Sequence, residues 1–199
     1  SSNYGKTKEN YSNEKLYRIE KEINFEGYER HYLINLPPDF YQLDSLPLVI
    51  ALHGGGGKGA QCEKDYKLTD AANKNGYVIL YPNGVRGDGL FRARTWNAGT
   101  CCEYAAEQNI NDVGFISLLI DEMVKEYKID SKRVYITGMS NGAMMAYKLA
   151  CEIPWKITAI APVSGTMVTT NICNPIQSVP ILHIHSVKYK KVPYAGGMG

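Results

Sequence analysis

The sequence lacks any long apolar run, and nothing in its 199 residues is long enough to span a bilayer. It also lacks charge bias. A net charge of +2 gives no electrostatic case for nucleic acid or a membrane surface, and neither partner is expected. The five cysteines (Cys62, Cys101, Cys102, Cys151 and Cys173) contain no C-x-x-C pair. That argues against a zinc or thiol-redox centre, so no metal is expected. Internal repeats, low-complexity tracts and linkers are missing too, which leaves one domain with a sizeable core. There is no visible leader peptide. Ser1 opens the chain without Met, which is read as removal of a leader or tag. Histidine is scarce, with four in all: His31, His53, His183 and His185.

What is present is a regular alternation of patterns. Residues 1–14 are polar and expected to be frayed; Asn10-Tyr11-Ser12 is a formal glycosylation sequon. Residues 15–199 are expected to form the folded domain. Residues 16–36 alternate loosely around Gly27, as two antiparallel strands and a turn would. Leu46 to His53 is a continuous apolar run typical of a buried strand. A helix is expected over 60–75, stopped by Gly76, then a strand from Tyr77 to Tyr81. Residues 83–108 read as a long loop. Asn111 and Asp112 can cap a helix running to Tyr127. Strands are expected at 133–137, 157–162 and 181–185, the last two buried, and a helix at 142–151. Strands alternating with helices predict an α/β fold with a mainly parallel sheet.

Two segments carry chemistry. Residues 138–142 read Gly-Met-Ser-Asn-Gly, a G-x-S-x-G sequence between a strand pattern and a helix pattern. In that setting a sharp turn holds Ser140 out as a nucleophile, beside a helix N-terminus that favours negative charge. Residues 53–57 read His-Gly-Gly-Gly-Gly at the end of an apolar run. Backbone N–H groups of Gly54 or Gly55, with that of Asn141, can bind an oxyanion. Gly57-Lys58 superficially opens a phosphate loop, but no Gly-Lys-Ser/Thr follows. His53 is expected to shape its loop. Arg92, Arg94 and Trp96 are candidates to line a cleft, with solvated or packed roles fitting equally well. Lys188, Lys190 and Lys191 read as a solvated loop. Disulfides among Cys101, Cys102, Cys151 and Cys173 are expected, with at least one joining the Cys101-Cys102 loop to Cys151 or Cys173, since a long loop needs fixing. Disulfides imply export to an extracellular setting.

Over residues 28–197 the chain resembles esterases of the polyhydroxybutyrate-depolymerase-like and feruloyl-esterase group. The resemblance rests on Leu52-His53-Gly54-Gly55-Gly56, the run from Arg94 to Cys102, Asn111 to Phe115, Gly138 to Gly142, Leu182 to His185, and Val192-Pro193-Tyr194. It implies an α/β-hydrolase fold, secretion, no cofactor, Ser140 as nucleophile and Trp96 near the substrate cleft. The substrate class it implies is a feruloyl or acetyl ester of plant cell-wall polysaccharide, or a polyester.

The sequence departs from that family at the rest of the triad. The family places an aspartate four residues after the last histidine of the Leu-His-Ile-His strand; here Tyr189 stands there. The only acid after Ser140 is Glu152, about 18 Å further along a helix. His183 and His185 are expected on one face of a strand, in packing or hydrogen-bonding roles. The family's histidine loop and last strand have no counterpart in these residues. Three readings follow: a shortened esterase with impaired turnover, a catalytically dead module that binds polysaccharide or polyester, or a histidine supplied by another chain.

Overall fold

A computed structural model of the chain describes residues 16–90 and 92–197. The polar segment 1–14 and the sequon at Asn10 lie outside the described residues.

Strands β1 (Arg18–Phe25) and β2 (Tyr28–Asn35) form the expected antiparallel hairpin. Along β1, exposed Arg18, Glu20 and Glu22 alternate with half-buried Ile19 and Ile23, a charged pattern suited to a sheet edge. Strand β3 (Leu46–Leu52) is buried through most of its length. The expected single helix over 60–75 is two, α1 (Gly59–Tyr66) and α2 (Leu68–Asn75), broken where Lys67 takes a left-handed φ of 53°. The Thr69 hydroxyl, bonded to Asn35 Nδ2 and Tyr81 Oη, pins the start of α2 to the sheet, and the chain turns at Lys67 to reach it.

Strand β4 (Val78–Pro82) follows, buried at every residue. The 83–108 segment is not structureless. It contains a two-stranded ribbon of β5 (Val85–Arg86) and β6 (Arg94–Thr95), and a short helix α3 (Glu103–Glu107). Helix α4 (Asp112–Glu126) is capped by Asn111, whose side chain accepts from the Gly114 N–H at 2.9 Å. Strand β7 (Ile129–Met139), helix α5 (Asn141–Glu152) and strand β8 (Ala159–Val163) complete the frame.

The sheet order is β1-β2-β4-β3-β7-β8, antiparallel across β1-β2-β4 and parallel across β4-β3-β7-β8. Neighbouring residues of a strand serve opposite faces. Ile34, Leu48, Ile50 and Ile136 join Phe115, Leu119 and Leu149 in the main core, while Leu33, Ala51, Ile79 and Tyr81 meet Cys62 and Ala72 on the other face. No helix among the described residues is long and apolar enough to cross a membrane.

Two expectations are corrected. The 181–185 run is not a buried strand. It lies parallel along β8 through two isolated bridges, Ile160 to Ile181 and Val163 to Ile184, and Ile181, Leu182 and Ile184 are exposed. Its position at the open edge of the sheet explains this: β8 covers one side only. The cysteines also pair differently. Cys101 bonds its neighbour Cys102, and Cys151 bonds Cys173, so no bridge joins the Cys101-Cys102 loop to Cys151 or Cys173. Cys62 is free and buried.

Candidate active site

Ser140 stands between β7 and α5 with φ 55° and ψ −118°. A side chain in that region costs about 1–3 kcal/mol and persists only where its surroundings fix it. Here the Ser140 N–H donates to the Val163 carbonyl at 2.9 Å, and the Ser140 carbonyl accepts from Met144 at 3.0 Å. The flanking glycines allow a close approach. A Cβ on Gly138 would lie 2.6 Å from the Gly142 carbonyl oxygen, and one on Gly142 would lie 2.6 Å from the His53 carbonyl oxygen. Gly165, which the motif does not reveal, packs on the same turn: a Cβ there would meet Ala143 Cβ at 2.6 Å.

The glycine loop after β3 faces this turn. A Cβ on Gly54 would lie 3.7 Å from Ser140 Cβ, and one on Gly55 3.9 Å from Asn141 Cβ. The loop's hydrogen bonds sort its N–H groups. Gly56 donates to the Arg94 carbonyl at 2.8 Å and Gly57 to the Gly54 carbonyl at 3.0 Å. Those of Gly54 and Gly55 have no acceptor among the described residues. Asn141 opens α5, where the first-turn N–H groups have no intrahelical partner.

His53 supports the loop from beneath, as expected. Its Nε2 accepts the Gly84 N–H at 2.9 Å, so the neutral ring carries its proton on Nδ1, which donates to the Gly54 carbonyl at 2.7 Å. Burial pushes its pKa down to about 4. Both ring nitrogens are committed, so His53 is no base for Ser140.

Trp96 needs correction. It is wholly buried and does not line the cleft. Its indole Nε1–H donates to the His53 carbonyl at 3.0 Å, and its ring lies 5.0 Å from the His53 ring. The Asn141 side chain fixes its backbone from the other side, accepting the Trp96 N–H at 2.7 Å and donating to the Trp96 carbonyl at 3.1 Å. Trp96 is thus the floor under the glycine loop. Arg94 is also turned away, donating to the Gly84 carbonyl at 3.0 Å, and neither Arg92 nor Arg94 lines the cleft.

A second buried anchor joins the same segment to the hairpin. Asp112 accepts from Arg30 Nη2 at 2.7 Å and from the Asn97 N–H at 2.8 Å. Burial pushes the Asp112 carboxyl up, while Arg30 and the Asn97 N–H draw it back down. The Arg30 guanidinium lies 3.8 Å over the Phe115 ring. The sequence pattern presents Asp112 only as part of a helix cap.

Ser140, Asn141 and the 54–57 loop line one cleft of about 650 Å³, with Tyr66, Tyr189, Lys190 and Lys191 on its walls. Lys190 and Lys191 are solvent-exposed, as expected, yet they border the cleft. Ser140 Oγ makes no hydrogen bond with any imidazole or carboxylate among the described residues. His183 and His185 bond to each other instead, Nε2 to Nδ1 at 3.1 Å, and both border no part of the cleft.

This arrangement can be set against known proteins. The family model described as esterase PHB depolymerase matches residues 30–187. The chain belongs to that esterase family. Esterases of this family act on carboxylic esters, and the α/β-hydrolase fold seen here is theirs. The chain is 35% identical over 139 residues to the bifunctional acetylxylan esterase/xylanase XynS20E of Neocallimastix patriciarum, covering 70% of the chain and 18% of that protein. It is 34% identical over 122 residues to feruloyl esterase B of Talaromyces stipitatus, covering 59% of the chain and 31% of that protein. Among solved structures, the acetyl xylan esterase from Aspergillus awamori superposes with a TM-score of 0.62 at 19% identity, over 80% of this chain and 57% of that one. The chain therefore spans well under two thirds of the length of these relatives.

Proposed function

We propose that Ser140 is the nucleophile of a serine carboxylic-ester hydrolase acting on feruloyl or acetyl esters of plant cell-wall polysaccharide, or on polyhydroxyalkanoate-type esters. The observation that carries this reading is the strained Ser140 turn facing a glycine loop whose Gly54 and Gly55 N–H groups lack acceptors among the described residues. Ser140 Oγ attacks the acyl carbon, and the carbonyl electrons move onto oxygen. The N–H of Asn141 and that of Gly54 or Gly55 hold this oxyanion. The C–O bond to the alcohol then breaks, the alcohol leaves with the proton given up by Ser140 Oγ, and water attacks the acyl-enzyme, releasing the acid as Oγ regains a proton. No cofactor takes part in this scheme. Membership of the esterase family and the substrates named for its relatives support the reaction class. The two disulfides favour an extracellular location.

A fluorophosphonate tests the nucleophile directly. One adduct per chain is expected, mapping to Ser140 and absent from Ser140→Ala. Labelling elsewhere, or p-nitrophenyl ester turnover unchanged by Ser140→Ala, would overturn the assignment.

A second reading is favoured by one observation: no imidazole reaches Ser140 among the described residues. A hydroxyl without a base is a weak nucleophile near neutral pH. The 199 residues taken alone then bind ester-bearing polysaccharide or polyester and turn it over only in trace amounts. An oxyanion hole and binding still give roughly 10³–10⁴-fold over water in systems lacking a triad member. Tyr189→Asp alone leaves the rate unchanged, because a carboxylate there has no imidazole to orient. Ser140-dependent turnover near ~10 s⁻¹ would exclude the pure binding module.

A further inference from the structure

Away from the cleft, three side chains and a carbonyl form a directed chain. The Tyr147 hydroxyl meets His183 Nδ1 at 2.6 Å, His183 Nε2 meets His185 Nδ1 at 3.1 Å, and His185 Nε2 meets the Val192 carbonyl at 2.7 Å. A carbonyl only accepts, so His185 carries its proton on Nε2 and presents a bare Nδ1. The two facing imidazole nitrogens thus share one hydrogen at 3.1 Å, while the outer nitrogen of each ring is already held. That is the outer-shell pattern of metal-binding histidines, in which the far ring nitrogen bonds a carbonyl or another fixed group. The rings stack with 24° between their planes, and His183 is exposed, so solvent can fill further coordination positions.

We propose that His183 and His185 form a two-imidazole site for a first-row transition ion that favours nitrogen ligands, Cu(II) more tightly than Zn(II). At metal–nitrogen distances of about 2.0–2.1 Å, the observed nitrogen separation corresponds to an angle of about 100° at the ion, between the square and tetrahedral preferences. The exchange balances without loss of a proton from the neutral rings. The His183 proton moves from Nε2 to Nδ1, Tyr147 turns from donor to acceptor, and the ion takes the place of the shared hydrogen. This inference does not depend on the role of Ser140. The bound ion would tie α5, through Tyr147, to the segment that carries Tyr189, Lys190 and Lys191 into the cleft wall.

A rival lies on the hairpin, where Glu22, Glu29 and His31 come together. There the ring reaches the two carboxylates with opposite nitrogens, Nε2 to Glu29 at 2.8 Å and Nδ1 to Glu22 at 3.8 Å. One ligand atom from each of the three lies within 4.8 Å of the others, but both carboxylates are exposed and the ring is shared between them, so that cluster is the weaker candidate.

Equilibrium dialysis of the whole chain against Zn(II) and against Cu(II) tests the site. One saturable ion per chain is expected, and His183→Gln or His185→Gln should each weaken it by about 10-fold or more. His31→Gln should leave it unchanged. Unaltered binding in both glutamine variants, loss only in His31→Gln, or no saturable binding would overturn the proposal. Should either variant misfold, the unmodified chain gives the answer by nuclear magnetic resonance, since it has only four histidines. Substoichiometric Cu(II) should broaden the ring signals of His183 and His185 first. Broadening confined to His31, or none at all, would overturn the site.

Discussion

Asn141 grips the backbone of Trp96 from both ends of its side-chain amide, taking the N–H at 2.7 Å and giving to the carbonyl at 3.1 Å. The two residues are 45 positions apart in sequence. This pairing sets the elbow against the floor of the glycine loop, so it couples the two halves of the proposed oxyanion site. Asn141→Ala strands the buried Trp96 N–H, at about 1–3 kcal/mol, whereas the Trp96 carbonyl keeps the Ala98 and Cys102 N–H groups at 3.1 and 3.2 Å. A denaturant midpoint lowered accordingly is expected. Asn141→Asp keeps only the acceptor and should fall between. Equal midpoints for all three proteins would show that the pairing contributes nothing.

Gly142 has no room for a methyl group. Its added Cβ would sit 2.6 Å from the His53 carbonyl oxygen, which the loop holds in place. Gly142→Ala should destabilise by about 1–3 kcal/mol through overpacking. It should also reduce phosphonate labelling of Ser140, because relief requires the elbow to move from the loop. Gly196→Ala, a glycine with nothing within 4 Å but a φ of +84°, is a control for backbone strain without a clash. It should leave labelling intact.

His53 gives the stability a definite pH slope. Its pKa is lowered from 6.5 to about 4 in the fold, so the unfolded chain binds the proton more tightly. Stability from this group is complete above about pH 6.5 and is lost as pH falls toward 4, by roughly 3 kcal/mol in all. Urea midpoints measured between pH 4 and 7.5 should rise with pH and then level. In His53→Asn the slope over that window should shrink by about one proton, and an unchanged slope would assign it to other groups.

The Arg30–Asp112 pair is almost completely sealed, with side-chain exposures of 1% and 0%. Removing one partner leaves the other charge buried, at about 3–5 kcal/mol. Asp112→Ala should therefore be among the most damaging substitutions, and it should also release the Asn97 N–H. Arg30→Met with Asp112→Leu should recover much of the loss. A double variant no more stable than Asp112→Ala would argue that the Asn97 contact, not the ion pair, dominates.

The elbow and the glycine loop were legible because each is written locally, as an apolar run that ends in small residues. Strand β3 and strand β7 needed no partner to be recognised. Trp96 could not be placed that way. An aromatic residue in a long polar loop fits a cleft wall and a packed role equally well, and only bonds to Asn141 and His53, 45 and 43 positions away, reveal it as floor. The run from Ile181 to His185 misled for a related reason. Apolar content signals burial, but exposure is decided by what lies outside the strand, and β8 lies on one side alone. The cysteine pairing was equally hidden, since spacing says which thiols exist and not which ones meet. Lys190 and Lys191 were read correctly as solvated, yet their place beside the cleft depends on how the 186–192 segment folds back.

The two tryptophans divide the molecule into optical compartments. Trp155 is 55% exposed, whereas Trp96 is sealed beneath the glycine loop with its indole bonded to a backbone carbonyl. An aqueous quencher such as iodide should silence the first and spare the second. The emission that survives then comes from a single ring lying just under the proposed oxyanion site. A ligand entering the cleft can be followed through that residual light, with no label attached and no substitution made.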